Sequence, residues 1–158
     1  MKKAFKFLAT AACVCMITGC GMTTNQEKAE APQPERVQVV NPMKTVNSAE
    51  EMEQYLDFSV PVLEKEVASY IVLVIDGYPE IGRIRYSDES IFNKKFGSGD
   101  ISGIYGGTLE KTEETDGVTV SYYNYDTTRY AIWEEDGFTY SLTGGENLED
   151  EVSRLLTK

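Results

Sequence analysis

Three Asp-Gly pairs, Asp76-Gly77, Asp116-Gly117 and Asp136-Gly137, limit what this chain can become more than any other feature. Asp and Gly both tolerate the positive φ that two-residue hairpin turns require. Each pair lies between segments that read as strands. Ser69 to Ile75 is apolar on both faces, as in a strand covered on both sides. Glu80 to Tyr86 returns from the first pair, with Gly82, Ile84 and Tyr86 on one face and Arg83 and Arg85 on the other. Ser90 to Phe96 follows. Thr108 to Thr115 and Val118 to Tyr123 surround the second pair, and Arg129 to Glu134 and Phe138 to Thr143 surround the third. Phe58 to Leu63 is apolar but broken by Pro61, so it is an edge strand or an extended connector.

Two helices complete the pattern. Ser48 followed by Glu51 forms a capping box, and Ala49, Met52, Tyr55 and Leu56 recur at helical spacing up to a stop near Asp57. At the other end Asn147 is placed to cap a helix with Leu148, Val152, Leu155 and Leu156 on one stripe. The expectation is an α+β domain: an antiparallel meander of about six to seven strands, packed with an N-terminal and a C-terminal amphipathic helix. Gly97 to Gly107 interrupts the strands and is the segment expected to move.

The N-terminus has a different character. Lys2, Lys3 and Lys6 precede an apolar run from Phe7 to Ile17, and Thr18-Gly19-Cys20 follows. That order is a secretory leader, and the run is well short of the roughly 20 residues of a bilayer span. An ordinary secretory signal and a short uncleaved anchor share this layout. A cysteine directly after Gly19 resembles a bacterial lipobox, which implies cleavage between Gly19 and Cys20 and a diacylglyceryl thioether on Cys20. Residues 1–19 are then signal peptide, 20–42 a lipidated tether and 43–158 the domain. The tether carries Pro32, Pro34 and Pro42 with no apolar periodicity, so it cannot bury enough surface to order itself. Its length corresponds to a mean reach of about 25 Å.

Cleavage leaves 139 of 158 residues and, with three lysines lost from a formal charge of −11, a charge of −14. Such a chain is a poor nucleic-acid binder and is repelled by anionic head groups, so the lipid must do the anchoring. Cys13, Cys15 and Cys20 are the only cysteines, which leaves the mature chain no internal disulfide and no free thiolate.

Catalytic chemistry is poorly represented. The chain has no histidine and no Gly-x-Ser-x-Gly. The glycines between Gly97 and Gly107 lack the lysine of a phosphate loop, and the Asp-Gly turns lack the alternating ligands of a calcium loop. Two carboxylates suffice for a glycosidase, but Asp88 and Glu89, Glu113 and Glu114, and Glu134 and Glu135 are sequence neighbours that point to opposite faces of a strand. No cofactor, no metal and no enzymatic activity are expected. The aromatics say more: Tyr123, Tyr125 and Trp133 form a candidate binding face, provided that no helix covers them. The alternative is that they are strand formers packed in the core.

The segments Asn41-Pro42-Met43, Phe58-Ser59-Val60-Pro61, Ile84-Arg85-Tyr86, Asp116 to Val120, Ala131-Ile132-Trp133 and the leucine-rich terminus occur in an order that resembles a bacterial family of unknown function found in small lipoproteins. Related domains occur in the extracytoplasmic parts of anti-sigma-factor-like membrane proteins. The resemblance spans residues 41–157 and rests on core and turn residues. It implies a fold and no catalytic residues. The expected protein is a cell-membrane lipoprotein on the extracytoplasmic side that binds or senses an envelope protein or glycan. The alternatives are a carboxylate-dependent envelope hydrolase and a structural accessory lipoprotein without a ligand.

Overall fold

The computed structural model describes residues 41–157. Gly19, Cys20, the leader and nearly all of the tether lie outside them. The order of elements is β1 (Met43–Val46), α1 (Ala49–Leu56), β2 (Val67–Ile75), β3 (Tyr78–Tyr86), β4 (Ile91–Phe96), β5 (Thr108–Thr115), β6 (Val118–Tyr125), β7 (Thr128–Glu135), β8 (Phe138–Gly144) and α2 (Leu148–Leu156). The eight strands form one antiparallel sheet in the order β1-β2-β3-β4-β8-β7-β6-β5. The α+β class holds. The strand number does not, because Met43–Val46 is a strand and not an approach to the helix. Its register on β2 runs from Met43 opposite Leu73 to Val46 opposite Tyr70. The first helix therefore follows a strand instead of opening the domain.

A simple meander is also replaced. Strands β1 to β4 form one run of neighbours and β5 to β8 another, and β8 returns to pair with β4. Four hairpins have two-residue turns. Three are the Asp-Gly pairs, with φ of 51° and 87°, 50° and 82°, and 51° and 80°. The fourth, between Tyr125 and Thr128, uses Asp126 at φ 54° and has no glycine to announce it.

Both helices pack on the same face of the sheet. That face carries lateral rows such as Ile84, Phe92, Leu142, Ala131 and Tyr122, all nearly or fully buried. Met52 and Leu56 of α1 and Leu148 and Val152 of α2 close over it. Burying side chains of this size is worth about 1.5–3 kcal/mol each. Gly82 permits the close approach of α1: a Cβ there would lie 2.5 Å from Val60 and 2.9 Å from both Leu56 and Met52. Phe58 to Leu63 is a connector, not a strand, and it sends Val60 and Leu63 into the core.

The helix ends follow local chemistry with one exception. Glu51 N–H donates to Ser48 Oγ at 3.2 Å, and the Glu51 carboxylate accepts from Asn47 N–H at 2.8 Å. Asp57 ends α1 at φ 59°. Asn147 occupies the N-cap position of α2 but its side chain makes no capping bond. That helix is held instead by ion pairs. Lys65 meets Glu151 at 2.5 Å, while Arg129 and Lys111 meet Glu149 at 2.6 and 3.1 Å.

Candidate functional site: a tyrosine groove on the strapped face

The opposite face of the sheet has no helix, and it is where an open platform would have to lie. Its composition follows from register. In the β6–β7 pair Tyr123 faces Tyr130, Tyr122 faces Ala131 and Val120 faces Trp133. Odd-numbered residues of β6 therefore share a face with even-numbered residues of β7. Tyr123 and Tyr125 lie on the helix-free face with Tyr130 and Ile132. Trp133 lies on the helix face, is 2% exposed, and stacks on Tyr140 at 5.3 Å with the rings 6° apart. The expected trio of Tyr123, Tyr125 and Trp133 is corrected accordingly: two belong to the platform and Trp133 belongs to the core. A one-residue change of register moves a side chain to the other face, and the glycine-free turn at Asp126-Thr127 concealed the register.

Glycines and small residues between Gly97 and Gly107 supply the next part of the site. The chain leaves β4 in the middle of the sheet and must reach β5 at its edge, so this segment crosses the helix-free face as a strap. Its middle is packed down, not free to swing. Ile101 is 6% and Ser102 is 8% exposed. Turn bonds shape it: Ser102 N–H donates to Asp100 Oδ1 at 2.8 Å, and Ile104 N–H to Ser102 Oγ at 3.1 Å. A Cβ on Gly107 would overlap the Tyr130 hydroxyl, so glycine is needed where the strap descends to β5.

Beneath the strap lies a polar ladder. Arg83 Nε donates to Asn93 Oδ1 at 2.7 Å, and Asn93 Nδ2 donates to Ser141 Oγ at 2.9 Å. Asn93, Ser141 and Thr139 are almost wholly buried, and the Thr139 hydroxyl donates to the Gly97 carbonyl at 2.5 Å. Burial, together with the nearby charge of Arg85, lowers the Arg83 pKa from its ordinary value.

Beyond the strap the β6–β7 surface forms a groove in two connected depressions, of about 620 and 330 Å³, which share Tyr123, Ile132 and Glu134. Tyr123 stacks on Tyr130 at 5.1 Å and 11°, and Tyr130 is 2% exposed. Burial, reinforced by the charge of Asp100, raises the Tyr130 pKa. The open side carries Tyr105 at 90%, Leu109 at 53% and Tyr125 at 48% exposure. Leu109 lies directly opposite Tyr123 across the edge pair. The carboxylates bordering the groove are Asp100, Glu134, Glu135 and Asp136.

Rings of this kind offer flat apolar area with polar tips, which suits ligands that stack or carry positive charge. Sequence reasoning placed Tyr105 in a mobile segment and treated Glu134 only as half of a carboxylate pair. The missed signal was length: eleven residues between β4 and β5 is far more than a hairpin needs, and their Ile and Tyr residues need a surface to cover.

A further depression of about 670 Å³ at the α1 end is lined by Leu56, Phe58, Phe96 and Phe138, with Asp57, Glu80 and Lys95 at its rim. Its charges are of both signs, so they select no ligand charge. Among the described residues no group of three His, Cys, Asp or Glu is placed to hold a metal ion, and no helix is long and apolar enough to cross a membrane. Comparison with protein-family models, with curated proteins and with solved structures finds no match for the chain.

Proposed function

We propose that this protein is a lipid-anchored extracytoplasmic binding module, held by Cys20 and reaching an envelope partner through its tyrosine groove. The observation that carries the reading is the exposure of Tyr105, Leu109 and Tyr125 beside a cavity on the sheet face that no helix covers. Exposed aromatic area of this kind costs solubility and is kept where something docks on it. The lipobox-like residues at Gly19 and Cys20 supply the anchoring half of the proposal. Kinship with the small lipoproteins of unknown function belongs to the same reading.

The test has two arms. Palmitate labelling and membrane fractionation of cells expressing the full chain should show label and membrane association, both lost in Cys20→Ala. Retention of the detergent-solubilised chain on isolated envelope material should fall about tenfold in a Tyr105→Ala/Tyr125→Ala double variant with an unchanged melting temperature. Equal retention of the double variant would remove the groove from the proposal, and an unlabelled wild type would remove the anchor.

A further inference from the structure

The acids of this domain are treated in two ways. Around α2, Lys65, Lys111 and Arg129 pair with Asp88, Glu110, Glu113, Glu149 and Glu151. Around the tyrosine groove, Asp100, Glu134, Glu135 and Asp136 enter no ion pair among the described residues, and no lysine or arginine lines either depression. Lys95 is the nearest cation in register, in the row Lys95, Thr139, Glu134, and is therefore two strand spacings from Glu134, about 10 Å. The groove combines tyrosine faces, whose quadrupole attracts cations, with the carboxylates of Asp100 and Glu134, whereas Glu135 and Asp136 also feel the charge of Lys94 on the helix face.

We infer that the occupant of the groove is a cationic peptide segment, extended along β6 and β7, with lysine or arginine side chains set over Tyr123 and Tyr125 and paired with Glu134 and Asp100. This rests on the binding reading above and names its ligand chemistry. An anionic polymer is repelled by the same carboxylates. A neutral glycan stacks on tyrosine but leaves the charge unanswered. Length also favours a chain over a small amine. The two depressions run from the Gly117 and Asp136 turns to Gly106 of the strap, and the stretch of β6 that lines them, Val118 to Tyr123, spans about 20 Å, the reach of about six extended residues.

The experiment uses the full chain in detergent and measures fluorescence anisotropy of a labelled alternating Gly-Lys hexapeptide. The same peptide with every lysine acetylated and a neutral N-acetylglucosamine tetramer serve as competitors. Binding should weaken about tenfold on acetylation and again as salt rises from about 0.05 to about 0.3 M. Asp100→Asn/Glu134→Gln should also weaken it about tenfold, whereas Glu53→Gln/Glu64→Gln, which removes equal charge elsewhere, should leave it unchanged. Equal loss in both double variants would reduce the effect to diffuse charge and overturn the inference. If the neutral tetramer binds, depends on Tyr123 and outcompetes the peptide, the groove stands and the cationic ligand falls. If Tyr105→Ala/Tyr125→Ala changes neither probe, both the inference and the groove reading fall.

Discussion

The two faces of this sheet solve the problem of cover by opposite means. The helix face is closed by apolar side chains, with Met52, Leu56, Leu148 and Val152 over Ile84, Phe92, Trp133 and Leu142. The other face is closed at its middle by a strap of irregular chain, and irregular chain carries backbone polar groups that need partners. Its floor is accordingly polar: Asn93, Thr139 and Ser141 are buried there and hydrogen-bonded to Arg83, to the strap and to each other. A strap also covers less than a helix pair, and the tyrosine groove lies where it stops. Closure by helices yields a packed core, whereas closure by a strap leaves an open groove.

The sharpest way to break this comparison is Trp133→Ala. Trp133 belongs to the helix face, so its truncation should cost about 3–5 kcal/mol in urea unfolding. A variant as stable as wild type would return Trp133 to the surface and undo the register argument. Next is Asn93→Ala, which strips the ladder under the strap of both its bonds and should cost about 1–3 kcal/mol. The same variant should speed amide hydrogen exchange in residues 101–104 more than in α1. Uniform acceleration would mean that the ladder supports the whole sheet and not the strap.

Smaller still is the acid response of α2. The hydrogen bond from Arg129, against a lesser push from burial, holds the Glu149 carboxyl at about 2, below its ordinary 4.5. A depressed carboxyl contributes stability that is present above about 4.5 and is lost as pH falls toward about 2. Glu149→Gln should therefore flatten the fall in unfolding midpoint across that window and leave the slope above pH 5 unchanged. The effect is modest because the pair is partly solvated. Smallest of all is Tyr125→Ala, which should change stability by no more than about 0.5 kcal/mol while weakening ligand capture. A larger loss would make Tyr125 a structural prop for the strap at Gly106 and not a contact for a ligand.

Much of the helix face was legible beforehand. Gly82, Ile84 and Tyr86 were assigned inward, and they are buried. Thr139 and Ser141 alternate with Phe138, Tyr140 and Leu142 and so fall on the opposite face, but nothing in their polarity announces that they are fully covered. That cover comes from residues about 40 positions away, through Gly97 and the strap. The aromatic site was half legible: Tyr123 and Tyr125 share a face by simple alternation, while the placement of Trp133 required knowing how β7 pairs with β6.

Local chemistry alone determined the three Asp-Gly hairpins, the end of α1 at Asp57 and the α+β class, because turn propensity and side-chain alternation act over a few residues. Tertiary structure decided that β8 joins β4, that the 97–107 segment is a strap, and that the groove is bordered by tyrosines and carboxylates while the Trp133 ring stacks on Tyr140 in the core. Those outcomes depend on strand order and register, which are set by how two faces of a sheet find cover at once.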